Sequence, residues 1–160
     1  MNHSGTFLTT RSAEDVFDLV ADPRRFGPLL PDFESMELQD ATHFTMRIVI
    51  AVGAIQGHVN LAMELRQAAR ADRVEYRGQG IVAGSQLTFA MQFHMAPSEG
   101  ATEVSWQGEV SVNGMLAMMA GNMIDELGRR NFDAMVEQLK GKLGEDSSSS
   151  GEPVDQGSVL

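Results

Sequence analysis

At 160 residues, 42% of them hydrophobic and 21% charged, the chain has room for one packed domain but not two, and it lies outside the composition range of disorder. A net charge of -10 argues against nucleic acid, whose affinity comes mainly from Lys and Arg neutralising phosphates, and an anionic membrane surface would repel it. The absence of cysteine excludes disulfides, thiolate metal sites and thiol nucleophiles, and no stretch has the make-up of a secretory signal or a membrane span. The expected location is the cytoplasm, with at most peripheral contact with the inner face of the membrane.

The segment Gly5 to Thr10 is short and β-like. Ser12, three residues before Asp15, is placed to cap a helix in which Val16, Phe17, Leu19 and Val20 follow at helical spacing up to Asp22-Pro23. The prolines and apolar residues between Phe26 and Pro31 predict a second short helix. After Pro31 alternation takes over. Phe44, Met46, Ile48, Ile50 and Val52 share one strand face while His43, Thr45 and Arg47 take the other. Ile55, Val59, Leu61, Met63 and Leu65 repeat the pattern, with Gln56, His58, Asn60, Glu64 and Arg66 opposite. Further strands are predicted over Arg73 to Val82, Gln86 to Met95 and Thr102 to Val112, with Ser98-Glu99-Gly100 as the turn between the last two.

From Gly114 the period becomes helical: Leu116, Met119, Met123, Leu127, Met135 and Leu139 fall near one stripe that ends around Leu143. The acidic, Ser/Gly-rich residues 144–160 are expected to form a disordered tail behind a domain spanning 1–143. The predicted fold is α+β: a curved antiparallel sheet of about seven strands around a long C-terminal helix, with two short helices after the first strand.

No catalytic constellation emerges. His43, His58 and His94 fall on the polar side of their strands, His3 carries no assignment, and Glu64, Glu75, Glu103 and Glu109 point outward. The glycine-rich run from Gly78 to Gly84 lacks the lysine and following helix of a phosphate loop, and no metal-ligand spacing occurs, so neither cofactor nor metal is expected. The inward face instead interrupts large residues with Gly57, Gly78, Gly80 and Gly108. These glycines either leave room for a ligand or let the sheet curve.

In the first case the lining is predicted to comprise Met46, Ile48, Leu61, Met63, Phe89, Met91 and Phe93 from the sheet and Met115, Met119 and Met123 from the helix, around the four glycines. Tyr76 and Trp106 would supply the polar handles, so the expected ligand is apolar with one or two polar atoms.

The order of elements resembles the START/Bet v 1-like (SRPBCC) helix-grip superfamily. Within it, the chain resembles the CoxG family, named for the G component of carbon monoxide dehydrogenase, over roughly residues 5–140. The resemblance rests on Asp22-Pro23 with Leu30-Pro31, Val52-Gly53-Ala54-Ile55-Gln56-Gly57, Gly78-Gln79-Gly80 with Gly84, and Val112-Asn113-Gly114-Met115-Leu116-Ala117. It departs at Pro31-Asp32, where the family usually has Pro-Gly, and in its short acidic tail, where many members end in a hydrophobic segment. The resemblance implies a non-catalytic accessory of a CO dehydrogenase-type molybdenum hydroxylase complex, handling a quinone-like or lipid-like molecule. Two alternatives are a polyketide cyclase/aromatase-like enzyme, and a partner-binding module with a fully packed core.

Overall fold

The computed structural model describes residues 2–52 and 54–149. Strand β1 (Asn2–Thr9) is followed by helices α1 (Ala13–Val20) and α2 (Pro23–Phe26), a 3-10 turn (Gly27–Leu29), strands β2 (Phe33–Leu38), β3 (His43–Val52), β4 (Ile55–Ala69), β5 (Arg73–Val82), β6 (Ser85–Ser98) and β7 (Ala101–Val112), and helix α3 (Met115–Ser149). The seven strands form one sheet in the order β1-β7-β6-β5-β4-β3-β2, every pair antiparallel. This is the predicted helix-grip fold, with α3 lying on one face of the sheet.

Local sequence accounts for most of these elements. Ser12 Oγ accepts from the Asp15 N–H at 3.1 Å and so caps α1. The second short helix starts earlier than expected, because Asp22 caps it by accepting from the Arg24 N–H at 3.0 Å and Pro23, needing no N–H partner, takes its first turn. Only the 3-10 turn occupies the Phe26 to Pro31 stretch. Two hairpins close on two-residue turns whose residues both have positive φ, Ala83-Gly84 (49° and 78°) and Glu99-Gly100 (44° and 83°), the mirror-image turn that matches strand twist.

Alternation fixes which face is buried. Phe44, Met46, Val59, Leu61, Met63, Val74, Tyr76, Leu87, Phe89, Met91, Phe93, Met95 and Val104 point inward and are buried, as their strand periods require. Tyr76 is the largest fully buried side chain, with its ring stacked on Phe26 at 4.1 Å and edge-on to Phe44 at 6.0 Å.

Helix α3 differs from the predicted stripe. Its buried line runs through Leu116, Ala120, Ile124, Phe132, Met135, Val136, Leu139 and Leu143, whereas Met119 and Met123 are 71% and 47% exposed. Both phases obey a 3.6-residue period; the observed one brings Ala120 down at a kink, where φ is -141° and ψ is 23°. The helix also continues through Ser149, past the predicted end near Leu143, while positions 150–160 of the predicted tail lie outside the described residues.

Candidate ligand-binding site

Between α3 and the sheet lies an apolar cleft with a cavity volume of about 70 Å³. Ile48, Val49 and Ile50 of β3 and Leu61 of β4 form one wall, Leu87, Phe89 and Val110 the floor, Ile124, Leu127, Gly128, Asn131 and Phe132 of α3 the roof, and Leu30, Pro31 and Asp32 the loop at one end. Alternation turns the β3, β4, β6 and β7 side chains other than Val49 toward the cleft, and the loop is fixed to β3 by the Val49 N–H, which donates to the Asp32 carbonyl at 2.9 Å.

One polar side-chain pair faces this apolar lining. Asn131 Nδ2 donates to Asp32 Oδ2 at 3.4 Å, both residues being half-buried. Neither was a predicted binding residue. Their proximity joins the loop after Pro31 to the middle of α3, and no local pattern carries that contact.

Of the predicted lining, Ile48, Leu61 and Phe89 border the cleft. Met46, Met63, Met91 and Phe93 are buried in the packed core beside it. Met115, Met119 and Met123 do not face the interior: with Met118 they lie on the outer side of the first turns of α3, 70%, 71%, 47% and 87% exposed respectively.

The predicted polar handles also serve other purposes. The Tyr76 hydroxyl donates to the Val20 carbonyl at 2.7 Å, tying the sheet to the end of α1, and burial raises its pKa well above the ordinary phenol value, with Asp22 adding to the effect. The Trp106 indole lies over Gly5, its cross-strand partner, and outside the cleft lining.

Three of the four glycines expected on the inward face leave no open space. A Cβ at Gly108 would fall 2.5–2.7 Å from three carbons of the Phe132 ring, and one at Gly80 would fall 2.6 Å from the Asn60 carbonyl oxygen. At Gly78 it would strike Met63 Sδ, from the opposite residue of β4. Gly57, by contrast, is exposed at the start of β4 and meets nothing. The volume given up by Gly5, Gly78 and Gly108 is taken by larger side chains that settle over them, at Gly5 and Gly108 in the arrangement by which aromatic residues cover glycines in sheets.

The outer face of the sheet carries paired polar side chains. His43 Nδ1 is 3.1 Å from Asp40 Oδ1, His58 Nδ1 is 3.0 Å from Glu34 Oε1, which Arg47 also holds at 2.8 Å, and His94 Nε2 is 3.2 Å from Asp72 Oδ1. These histidines face solvent, as the strand period predicts, whereas His3 lies on the inner side of β1 with its ring 6.2 Å from that of Phe132. Asp40, whose carboxylate accepts from the Thr42 N–H and interacts with the His43 side chain and N–H, has its pKa lowered to about 2. Two broader hollows on this face, lined by groups such as Glu64, Arg66 and Arg77 or Arg73, Gln92 and His94, are shallow and open to water.

Among the described residues no group of three or more His, Cys, Asp or Glu side chains could hold a metal ion, and no helix is long and apolar enough to cross a membrane.

The fold recurs in solved structures. A conserved protein from Geobacillus kaustophilus superposes with a TM-score of 0.77 at 14% identity, over 91% of this chain and 97% of that one. The ZhuI aromatase/cyclase from Streptomyces sp. R1128 gives 0.71 at 15% identity, covering 94% and 98%. A START superfamily protein from Mycobacterium smegmatis gives 0.63 at 14%, covering 90% and 97%. No match to this sequence was found among curated proteins. The family model for the carbon monoxide dehydrogenase G component (CoxG) matches residues 5–144, and with it the Pro-flanked helices, the glycine-interrupted sheet and the start of α3; the chain belongs to the CoxG family.

Proposed function

We propose that the protein binds an apolar small molecule, quinone-like or lipid-like, between α3 and the sheet, and acts as a non-catalytic accessory of a CO dehydrogenase-type molybdenum hydroxylase. The observation that carries this reading is the cleft itself. It is bounded by aliphatic and aromatic side chains from β3, β4, β6, β7 and α3, with a single polar side-chain pair at its edge. Membership of the CoxG family supports the accessory role.

At about 70 Å³ the cavity is smaller than the roughly 300–1,000 Å³ of typical ligand pockets, so binding must widen it. The roof is the element suited to move. The Ala120 kink interrupts α3 just ahead of Ile124 and Leu127, and Gly114, with φ of 80°, precedes the helix. Movement of Ile124 and Leu127 away from Leu87 and Phe89 would open the cleft without breaking a strand pair.

A second reading, a packed core whose surface binds a protein partner, draws support from the small cavity and from the four exposed methionines. Calorimetric titration with a naphthoquinone and with a single-chain fatty acid separates the two. The ligand reading expects saturable one-to-one binding that Leu127→Trp, which fills the cleft, abolishes. Absence of saturable binding by the parent protein favours the packed-core reading. Co-purification with the molybdenum enzyme tests the accessory role independently.

A further inference from the structure

We infer that Asp32 and Asn131 make the cleft selective for an apolar ligand bearing a hydroxyl donor, in the quinone series the reduced, hydroxyl-bearing form. This rests on the ligand-binding reading above and specifies the chemistry of the occupant.

A carboxylate accepts hydrogen bonds and offers none. Asp32 Oδ2 takes one from Asn131 Nδ2 at 3.4 Å, at the long end for such a bond. The pair stands at one end of a cleft whose other side-chain surfaces, including Ile48, Leu61, Phe89 and Leu127, are apolar. A ligand that fills the cleft removes water from Asp32. If it brings an O–H group to that end, the carboxylate exchanges a bond to water for a charge-assisted one, which is stronger than a neutral bond. A ligand ending in a carbonyl or an ether presents a second acceptor to the carboxylate and leaves it desolvated with only the long Asn131 bond, an outcome more costly than a merely absent contact. The second Asn131 N–H can meet a ligand oxygen in either case, so it aligns the polar end and does not discriminate. The discrimination therefore lies with Asp32, whose backbone carbonyl holds the loop to β3 through Val49 and so fixes where the carboxylate stands.

Naphthol and methoxynaphthalene test this, since they share an aromatic body and differ in the donor. In ligand-observed NMR titrations, the parent protein is expected to bind naphthol at least about tenfold more tightly, the scale of one hydrogen bond to a charged group. Asp32→Gly keeps the backbone carbonyl that Val49 needs. It should abolish the preference while leaving methoxynaphthalene affinity within about twofold, and Asp32→Leu should do the same if the glycine loosens the loop. Equal affinities in the parent, or a preference that survives both substitutions, would overturn the selectivity while leaving apolar binding in place. Failure of the parent to bind either probe would instead refute the ligand-binding reading and this inference with it.

Discussion

Gly108→Ala tests whether Gly108 is a seat for the Phe132 ring. The new methyl would lie 2.5–2.7 Å from three Phe132 ring carbons, where carbon atoms normally stay about 3.5–4.0 Å apart, so the ring would have to withdraw by about 1 Å. It has little room: Phe132 is 1% exposed, with Phe89 stacked at 5.8 Å and Trp106 at 6.4 Å. Overpacking of this kind costs about 1–3 kcal/mol. Phe132→Ala alone should cost about 3–5 kcal/mol, within reach of a domain of ordinary stability. With the ring gone, however, the three contacts that crowd the methyl at position 108 are removed. Gly108 does not use a left-handed backbone conformation, so alanine there should be neutral or stabilise by about 0.4–1 kcal/mol through the unfolded chain. The substitution therefore changes sign with its background. Urea unfolding of the parent, both single variants and the double variant measures the coupling, expected at about 2 kcal/mol or more. Additivity within about 0.5 kcal/mol would refute the claim that Phe132 occupies the space over Gly108. Phe132→Leu offers a milder background if Phe132→Ala unfolds.

Two further substitutions test other parts of the structure. Tyr76→Phe removes the donor to the buried Val20 carbonyl and should cost about 1–3 kcal/mol in urea unfolding without altering probe affinity; a loss of affinity at unchanged stability would make the hydroxyl a ligand contact after all. The Asp40 carboxyl, lowered from 3.8 to about 2, adds stability that is present above its unfolded pKa and is lost as pH falls through its folded one. The stability gap between the parent and Asp40→Asn should accordingly be full above about pH 4 and shrink towards pH 2. A gap that widened on acidification would contradict the assigned hydrogen bonds.

The sheet was legible in the sequence because alternation is a local signal: the register of Leu87, Phe89, Met91, Phe93 and Met95 can be read without knowing what lies beside them. The helix was legible in kind but not in phase. Met119 and Met123 fit a 3.6-residue stripe as well as Ala120 and Ile124 do, and spacing alone does not choose between them; in the fold Ala120 and Ile124 are the buried pair. The site was the least legible part. Phe132 over Gly108 and Asn131 beside Asp32 are contacts between distant segments, so the sequence shows the glycine or the acid but not what arrives next to it. Asp32 did stand out as a departure at Pro31-Asp32, though without a role.

The pairing of β1 with β7 constrains how the chain can assemble. Asn2 lies opposite Glu109 and Thr9 opposite Thr102, so β1 has no partner until β7, the last of the seven strands, exists. Strands β2 to β7 can add one after another as neighbours in sequence, each closing a short loop, whereas β1 must cross the whole meander. During synthesis Asn2–Thr9 is therefore an unpaired edge carrying Phe7 and Leu8, the kind of segment that joins other chains when its own partner is late. In pulse-labelled hydrogen exchange the β1 amides should gain protection after those of β5 and β6, and β1 is where crowding on the ribosome would cost the most folded protein.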